Sequence, residues 1–222
     1  MERFPVWRAL PPAQRALLVI LGVAVVAAQV RQPFPDMAPI QHAPTVLLLV
    51  AAPWLLRRWP LSTRSVACVI GFFLLHTLAG RYIYSYVPYD VWAKALTGHT
   101  ISTLTGWRRN CFDRLVHFSF GLLAVRPIAE LLQRYVGAGR RLSLYVAVEF
   151  VLAFSCVYEI FEWALTLMMA GADAEAYNGQ QGDPWDAQKD MAMAMAGAIV
   201  AAAIIALGRR RVGRKAAAQY PV

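Results

Sequence analysis

Six apolar runs, separated by short polar connectors, constrain this chain more than any other feature. They lie at roughly Ala13–Val30, Thr45–Leu56, Ser65–Gly80, Asp113–Leu132, Leu142–Met169 and Pro184–Leu207. A membrane-crossing helix needs about 20 mainly apolar residues, with a range of about 17–25. The second run is short and carries Pro44 and Pro53, so it spans only by recruiting Ala38–Ala43. The fifth is long enough to tilt or to project beyond the bilayer. The pattern predicts an all-α, polytopic transmembrane bundle of about six spans: 13–30, 38–56, 65–80, 113–132, 142–169 and 184–207. Arg15 before the first run and Ala27-Ala28 after it would also suit a signal peptide. The connector that follows is short and a spanning first helix closes the topology, so a signal anchor is the reading.

Composition points to the same solvent. The hydrophobic class makes up 59% of the 222 residues and charged residues 16%, against roughly one half and one quarter in soluble domains. No long polar stretch separates a second unit, so the expectation is a single integral membrane domain, 1–222, with a basic tail at 208–222. The net charge of +9 sits in connectors rather than on one face of a soluble module, which argues against nucleic acid as a partner. Cys68, Cys111 and Cys156 have no metal-type spacing and no even count for a disulfide framework.

The placement of charge predicts orientation. Arg3, Arg8 and Arg15 precede the first run, and Arg57, Arg58 and Arg64 lie between the second and third. Arg134, Arg140 and Arg141 lie between the fourth and fifth, and Arg209, Arg210, Arg211, Arg214 and Lys215 follow the sixth. These sets account for most of the 22 basic residues and fall on one side. By the positive-inside rule that side, and both termini, are cytoplasmic. The middle connector on the other side carries Tyr82, Tyr84, Tyr86, Tyr89, Trp92 and Trp107, a set suited to a membrane interface.

An ionisable side chain in mid-membrane costs about 2.5–3.5 kcal/mol on insertion scales, so each one asks for a role. Arg126 and Glu149 sit at matching depth on consecutive runs, about 10 Å from the cytoplasmic end at 1.5 Å per residue, and are expected to form a structural ion pair. Glu130, four residues from Arg126, could share it. The outer half is richer. Asp113 and His117 share one helix face, as do Glu159 and Glu162, and as do Asp186 and Asp190, while His76 lies about one turn from an outer helix end. Asp183 before Pro184 suits a helix N-cap, and Asp186 would then sit in the first turn, where a carboxylate favours the helix N-terminus. Asp113 could cap its helix or pair with Arg109 or Arg114. Glu159 and Glu162 have no such explanation, and His117 and Asp190 come next.

Carboxylates with histidine on facing helices form the usual ligand set of helical-bundle metal sites. Glu159, Glu162, His117 and Asp190 are therefore the candidate catalytic and metal-binding residues, with His76, Asp113 and Asp186 in support. The cofactor this implies is one divalent ion: oxygen ligands favour Mg, Ca or Mn, and imidazole admits Zn or Fe. Haem fits poorly, because His42, His76, His99 and His117 offer no pair at matching depth on facing helices.

Several runs resemble a known family. His76-Thr-Leu-Ala-Gly80, Tyr82 to Asp90, Asp113-Arg-Leu-Val-His117-Phe118, Tyr158-Glu159-Ile-Phe-Glu162-Trp163 and Gln181-Gly182-Asp183-Pro-Trp185-Asp186-Ala-Gln188-Lys-Asp190-Met191 are similar to the YjdF-like bacterial inner-membrane family. The likeness covers roughly Ser65–Leu207 and implies a multi-pass inner-membrane protein without an assigned activity. A weaker likeness to VanZ-like membrane proteins rests on Asp and His on one helix, an acid on the next and Asp on the last. Met193 and Ala194 stand where those proteins usually carry Asn.

Three function classes follow. One is a metal- or acid–base-dependent hydrolase or transferase acting on a lipid-linked envelope substrate from the outer leaflet. The second is a non-catalytic membrane scaffold or envelope-stress factor, with the acids held in ion pairs. The third is a proton-coupled transporter, which the one-sided clustering of acids and the lack of an inverted repeat disfavour.

Overall fold

The computed structural model describes residues 5–168 and 181–219, with side chains described for 6–168 and 181–208. The chain forms α1 (Pro5–Arg8), α2 (Pro12–Gln29), α3 (Ala38–Arg58), α4 (Thr63–Arg81), α5 (Tyr89–Thr97), α6 (Ile101–Thr105), α7 (Phe112–Leu131), α8 (Arg140–Thr166) and α9 (Asp186–Gln219). Among the described residues six helices are long and apolar enough to cross a membrane: α2, α3, α4, α7 with the turn that extends it to Val136, α8, and α9 as far as Gly208. Large apolar side chains such as Val23, Val26, Leu47, Val50, Val157, Ile160 and Ile204 lie exposed around the bundle. Water would penalise that surface, whereas lipid tails are as apolar as the side chains themselves.

The second span is a single helix of 21 residues, running through both Pro44 and Pro53. The sixth departs slightly from expectation. Regular helix opens at Asp186 rather than at Pro184, because Asp183 and Pro184 form a turn in which the Asp183 carboxylate accepts the Trp185 N–H at 3.1 Å.

Two three-helix groups share the α4–α7 seam. α2 and α3 pack on α4, while α8 and α9 pack on α7 and on each other. The first group centres on Leu18, Leu21, Ala52, Val66 and Ile70. The second centres on Val125, Ala129, Ala147, Val151, Ala194, Ala198 and Ala201. Side chain to backbone bonds fix which helix ends lie together. Gln14 donates to the Leu61 carbonyl at 2.9 Å, Arg134 to Pro60 at 2.9 Å, and Arg140 to Ile205 at 2.5 Å. One end of the bundle therefore gathers the start of α2, the α3–α4 connection, the end of α7, the start of α8 and the last turns of the sixth span. At the opposite end Arg81 donates to the Ala28 carbonyl at 2.5 Å.

The expected Arg126–Glu149 pair does not form. α8 turns Ser143, Ala147, Val151 and Ser155 inward. Glu149 is two residues from Ala147, about 200° around a helix of 3.6 residues per turn, and it is exposed. Glu130 also turns from Arg126. Its carboxylate accepts the Ser62 N–H and hydroxyl, both at 2.6 Å, and the Ser65 hydroxyl at 2.5 Å. Matching depth brings two residues to the same level but does not turn them toward one another.

α7 and α9 approach until their backbones touch. A Cβ added at Gly121 would lie 1.9 Å from the Ala194 carbonyl oxygen, and one added at Gly197 would lie 2.0 Å from that of Phe118. Small residues permit such approach in membranes, where packing rather than water drives helix association. Gly121→Leu and Gly197→Leu are each expected to cost at least about 3 kcal/mol, beyond ordinary overpacking because the obstacle is backbone. Gly22→Ala, whose Cβ would meet nothing within 4 Å, should stay within about 0.5 kcal/mol. Thermal unfolding of the purified protein in detergent reads the difference, and equal stability of all three variants would contradict the contact.

Candidate functional site

The α7–α9 contact sets the site above it. His117 is one turn from Gly121, and Asp190 is two turns from Gly197, so the two side chains leave their helices toward a shared space. Glu159 enters that space from α8. The His117 Nε2 atom lies 3.5 Å from Glu159 Oε1 and 3.9 Å from Asp190 Oδ2. One ligand atom from each of the three lies within 4.8 Å of the others. The side chains are only 12%, 9% and 5% exposed, so neighbouring groups, not bulk water, must settle their charge.

A second group, Asp113, Asp186 and Asp190, meets the same 4.8 Å limit and shares Asp190. The charges of its Asp113 and Asp186 are already answered. Arg109 donates to Asp113 at 2.8 Å through Nη1 and to Asp186 through Nη2. Arg114 reaches Asp183 at 2.8 Å and Asp186 at 3.7 Å, and Lys189 binds Asp183 at 2.6 Å. The Lys189 hydrogen bond and the Trp185 N–H hold the Asp183 carboxyl down to about 2, so it remains an ion-pair partner throughout the neutral range. Arg109, Arg114 and Lys189 thus bind Asp113, Asp183 and Asp186. Glu159 Oε1 and Asp190 Oδ1 are buried and accept no hydrogen bond from the described residues.

Each residue singled out in the sequence can now be placed. His117, Glu159 and Asp190 come together. Asp113 and Asp186 flank them through Arg109. Glu162 belongs to neither group and hydrogen-bonds with Tyr158. His76 stands apart from the acids: its Nδ1 meets the Tyr84 hydroxyl, and its ring packs near Phe72 and Phe73. Asp113 is a partner of Arg109 rather than a cap of the first turns, although its Oδ1 accepts the Arg114 N–H at 2.7 Å. Burial pushes the Cys111 thiol up, in keeping with a packed rather than reactive cysteine.

The placement of four residues escaped the sequence reading. Ser155, one turn before Glu159, places its hydroxyl 3.5 Å from His117 Nδ1. Tyr158 sets its ring edge-on to His117, centroids 5.9 Å apart. The i, i+4 relation of Ser155 to Glu159 was available as a signal. Tyr84 was expected in an interfacial belt but turns inward, through a left-handed backbone at Ile83 and Tyr84. Tyr89 turns in as well, accepting the Cys111 N–H at 3.1 Å. Tyr86, Trp92 and Trp107 do lie exposed.

Beneath the triad lies a cavity of about 200 Å³, with Phe72, Phe73, Val116, Phe120 and Phe154 in its wall and His76, His117 and Ser155 at its polar margin. The site is therefore a polar cluster of three side chains that borders, through His117, a half-open apolar chamber between the helices.

Arg109→Gln would leave Asp113 and Asp186 buried without their main counter-charge. It is expected to cost about 3–5 kcal/mol, as for other buried pairs broken on one side. Adding Asp113→Asn and Asp186→Asn should restore part of that loss. Unfolding midpoints of the single, double and triple variants measure this coupling; strictly additive effects would show that Arg109 does not bind the two acids together.

The comparisons with known proteins agree with this architecture. Residues 13–211 match the family model described as "Predicted membrane protein (DUF2238)". The chain is also 33% identical over 162 residues to "Inner membrane protein YjdF" of Escherichia coli (strain K12), covering 72% of this chain and 71% of that protein. No solved structure matches. With six apolar helices and this shared sequence, the chain belongs to the DUF2238 family of membrane proteins and is a multi-pass protein of the inner membrane.

Proposed function

We propose that this protein is a membrane-embedded hydrolase or transferase that acts on a lipid-linked envelope substrate, with His117, Glu159 and Asp190 holding one divalent metal ion. The observation that carries this reading is the division of charge. Arg109, Arg114 and Lys189 engage Asp113, Asp183 and Asp186, while buried oxygens of Glu159 and Asp190 beside the His117 ring accept no hydrogen bond from the described residues. Two donors each about 2.0–2.2 Å from one ion lie about 3–4 Å apart, and the His117 separations of 3.5 and 3.9 Å fall in that range. Such an ion would supply Lewis-acid polarisation of a substrate oxygen and acidify a water.

The chain's own residues have distinct parts. Ser155 beside Nδ1 orients the His117 ring so that Nε2 faces the two carboxylates. Arg109 keeps Asp186 and Asp113 from competing with Asp190. Glu162, outside the ligand set and hydrogen-bonded with Tyr158, is the candidate general base toward water. The apolar chamber supports the lipid-linked part of the reading, because it would seat hydrocarbon next to the polar cluster. The basic connectors orient this end of the bundle away from the cytoplasm.

Equilibrium dialysis of the purified protein against Zn²⁺ or Mn²⁺, followed by elemental analysis, tests the site. One equivalent is expected on the wild-type protein. Glu159→Gln and Asp190→Asn should each weaken uptake by at least about tenfold, and Glu162→Gln should leave it intact. No uptake by the wild type, or equal uptake by all variants, favours the scaffold reading, in which the acids serve packing alone. Orientation has its own test. A reporter that folds only in the cytoplasm should be active when fused after Val222 and inactive when inserted after Gly98; the reverse result would invert the topology.

A further inference from the structure

Arg126 is a charged side chain within a membrane-spanning helix, and no carboxylate answers it among the described residues. The nearest candidate on its own helix, Glu130, is engaged by Ser62, by Ser65 and by Arg134 at 3.6 Å. Glu149 faces outward on α8. Arg126 instead lines a cleft of about 340 Å³ together with Ser62, Glu130, Arg134 and Arg140. Three guanidinium groups against one carboxylate leave this cleft with surplus positive charge. Arg134 and Arg140 are fixed by carbonyls: Arg134 donates to Pro60 at 2.9 Å, and Arg140 to Ile205 at 2.5 Å and Ala206 at 3.1 Å. The frame around Arg126 is thus rigid while its own charge is uncompensated.

We infer that this cleft binds a phosphate-bearing anion, with Arg126 as its principal ligand. The planar guanidinium fork matches phosphate oxygens better than an ammonium does. Basic clefts between membrane helices are a general solution for holding anionic headgroups. The cleft lies at the end of the bundle opposite the His117 cluster, where the α3–α4 connection meets the end of α7 and the start of α8 meets α9, so the inference does not depend on the function proposed for that cluster. The phosphate could belong to an anionic phospholipid or be free in solution, and the chemistry of the cleft is the same for both.

Native mass spectrometry of the full-length, delipidated protein separates the outcomes. The probes are phosphatidylglycerol, zwitterionic phosphatidylcholine and inorganic phosphate. Phosphatidylglycerol is expected to bind at least about tenfold more tightly than phosphatidylcholine, the scale of one charge-assisted contact. Arg126→Gln should abolish that preference, and Arg126→Lys should keep part of it. Phosphatidylglycerol binding that inorganic phosphate does not displace assigns the site to lipid. Inorganic phosphate that binds and displaces the lipid assigns it to the free anion, and an adduct of phosphate alone that Arg126→Gln removes does the same. Equal binding of both lipids with no phosphate adduct overturns the inference, as does a preference that survives Arg126→Gln. If Arg126→Gln does not fold, Arg126→Lys provides the second variant: a reduced preference is expected, and an unchanged preference overturns the inference.

Discussion

The backbone contact of α7 with α9 at Gly121 and Gly197 is the constraint on which the rest of the structure depends. With added Cβ atoms 1.9 and 2.0 Å from the facing carbonyl oxygens, no other residue fits without parting the helices. The contact fixes how His117 and Asp190 face each other one and two turns away. α8 then lies against both helices through Ala147 and Val151 in the shared core, and this brings Glu159 to the same point. Three side chains from three helices meet because two of those helices touch at backbone distance.

Charge is distributed with the same economy. Buried acids near the start of α9 would repel one another, and Arg109 and Arg114 bridge α7 and α9 by answering them. These bridges pull the connector before α7 onto the turn before α9, where Gln181 and Asn110 also exchange hydrogen bonds of 3.1 and 3.0 Å. What the bridges leave over is the His117, Glu159 and Asp190 group at one end and Arg126 at the other. Both leftovers are costly in an apolar solvent; His117 borders the apolar cavity and Arg126 lines the basic cleft.

Much of this was legible in the sequence, and the failures have physical causes. The spans were legible because hydrophobic length is a property of one dimension, so even a run broken by Pro44 and Pro53 could be extended to Ala38. Depth and helix face together pointed to Glu159, Glu162, His117 and Asp190; three of these have ligand atoms close together, while Glu162, though on the same helix face as Glu159, is not among them. Arg126 and Glu149 were misjudged because depth does not report rotation: Glu149 lies about 200° from Ala147 around the helix axis. Gly121 and Gly197 were read only as apolar letters, since a sequence does not show which small residue meets a neighbouring backbone. The allotment of Arg109 was open as well. It depends on the connector 82–111, whose α5, α6 and left-handed residues at Ile83 and Tyr84 arise from packing rather than from periodicity.

The central claim is that His117, Glu159 and Asp190 form one ligand set. The most direct measurement is the X-ray absorption spectrum of the purified protein loaded with zinc. The account predicts a first shell of nitrogen and oxygen donors at about 2.0–2.2 Å, containing one imidazole whose contribution disappears in His117→Ala. A shell without imidazole, or one unchanged by His117→Ala, would contradict it.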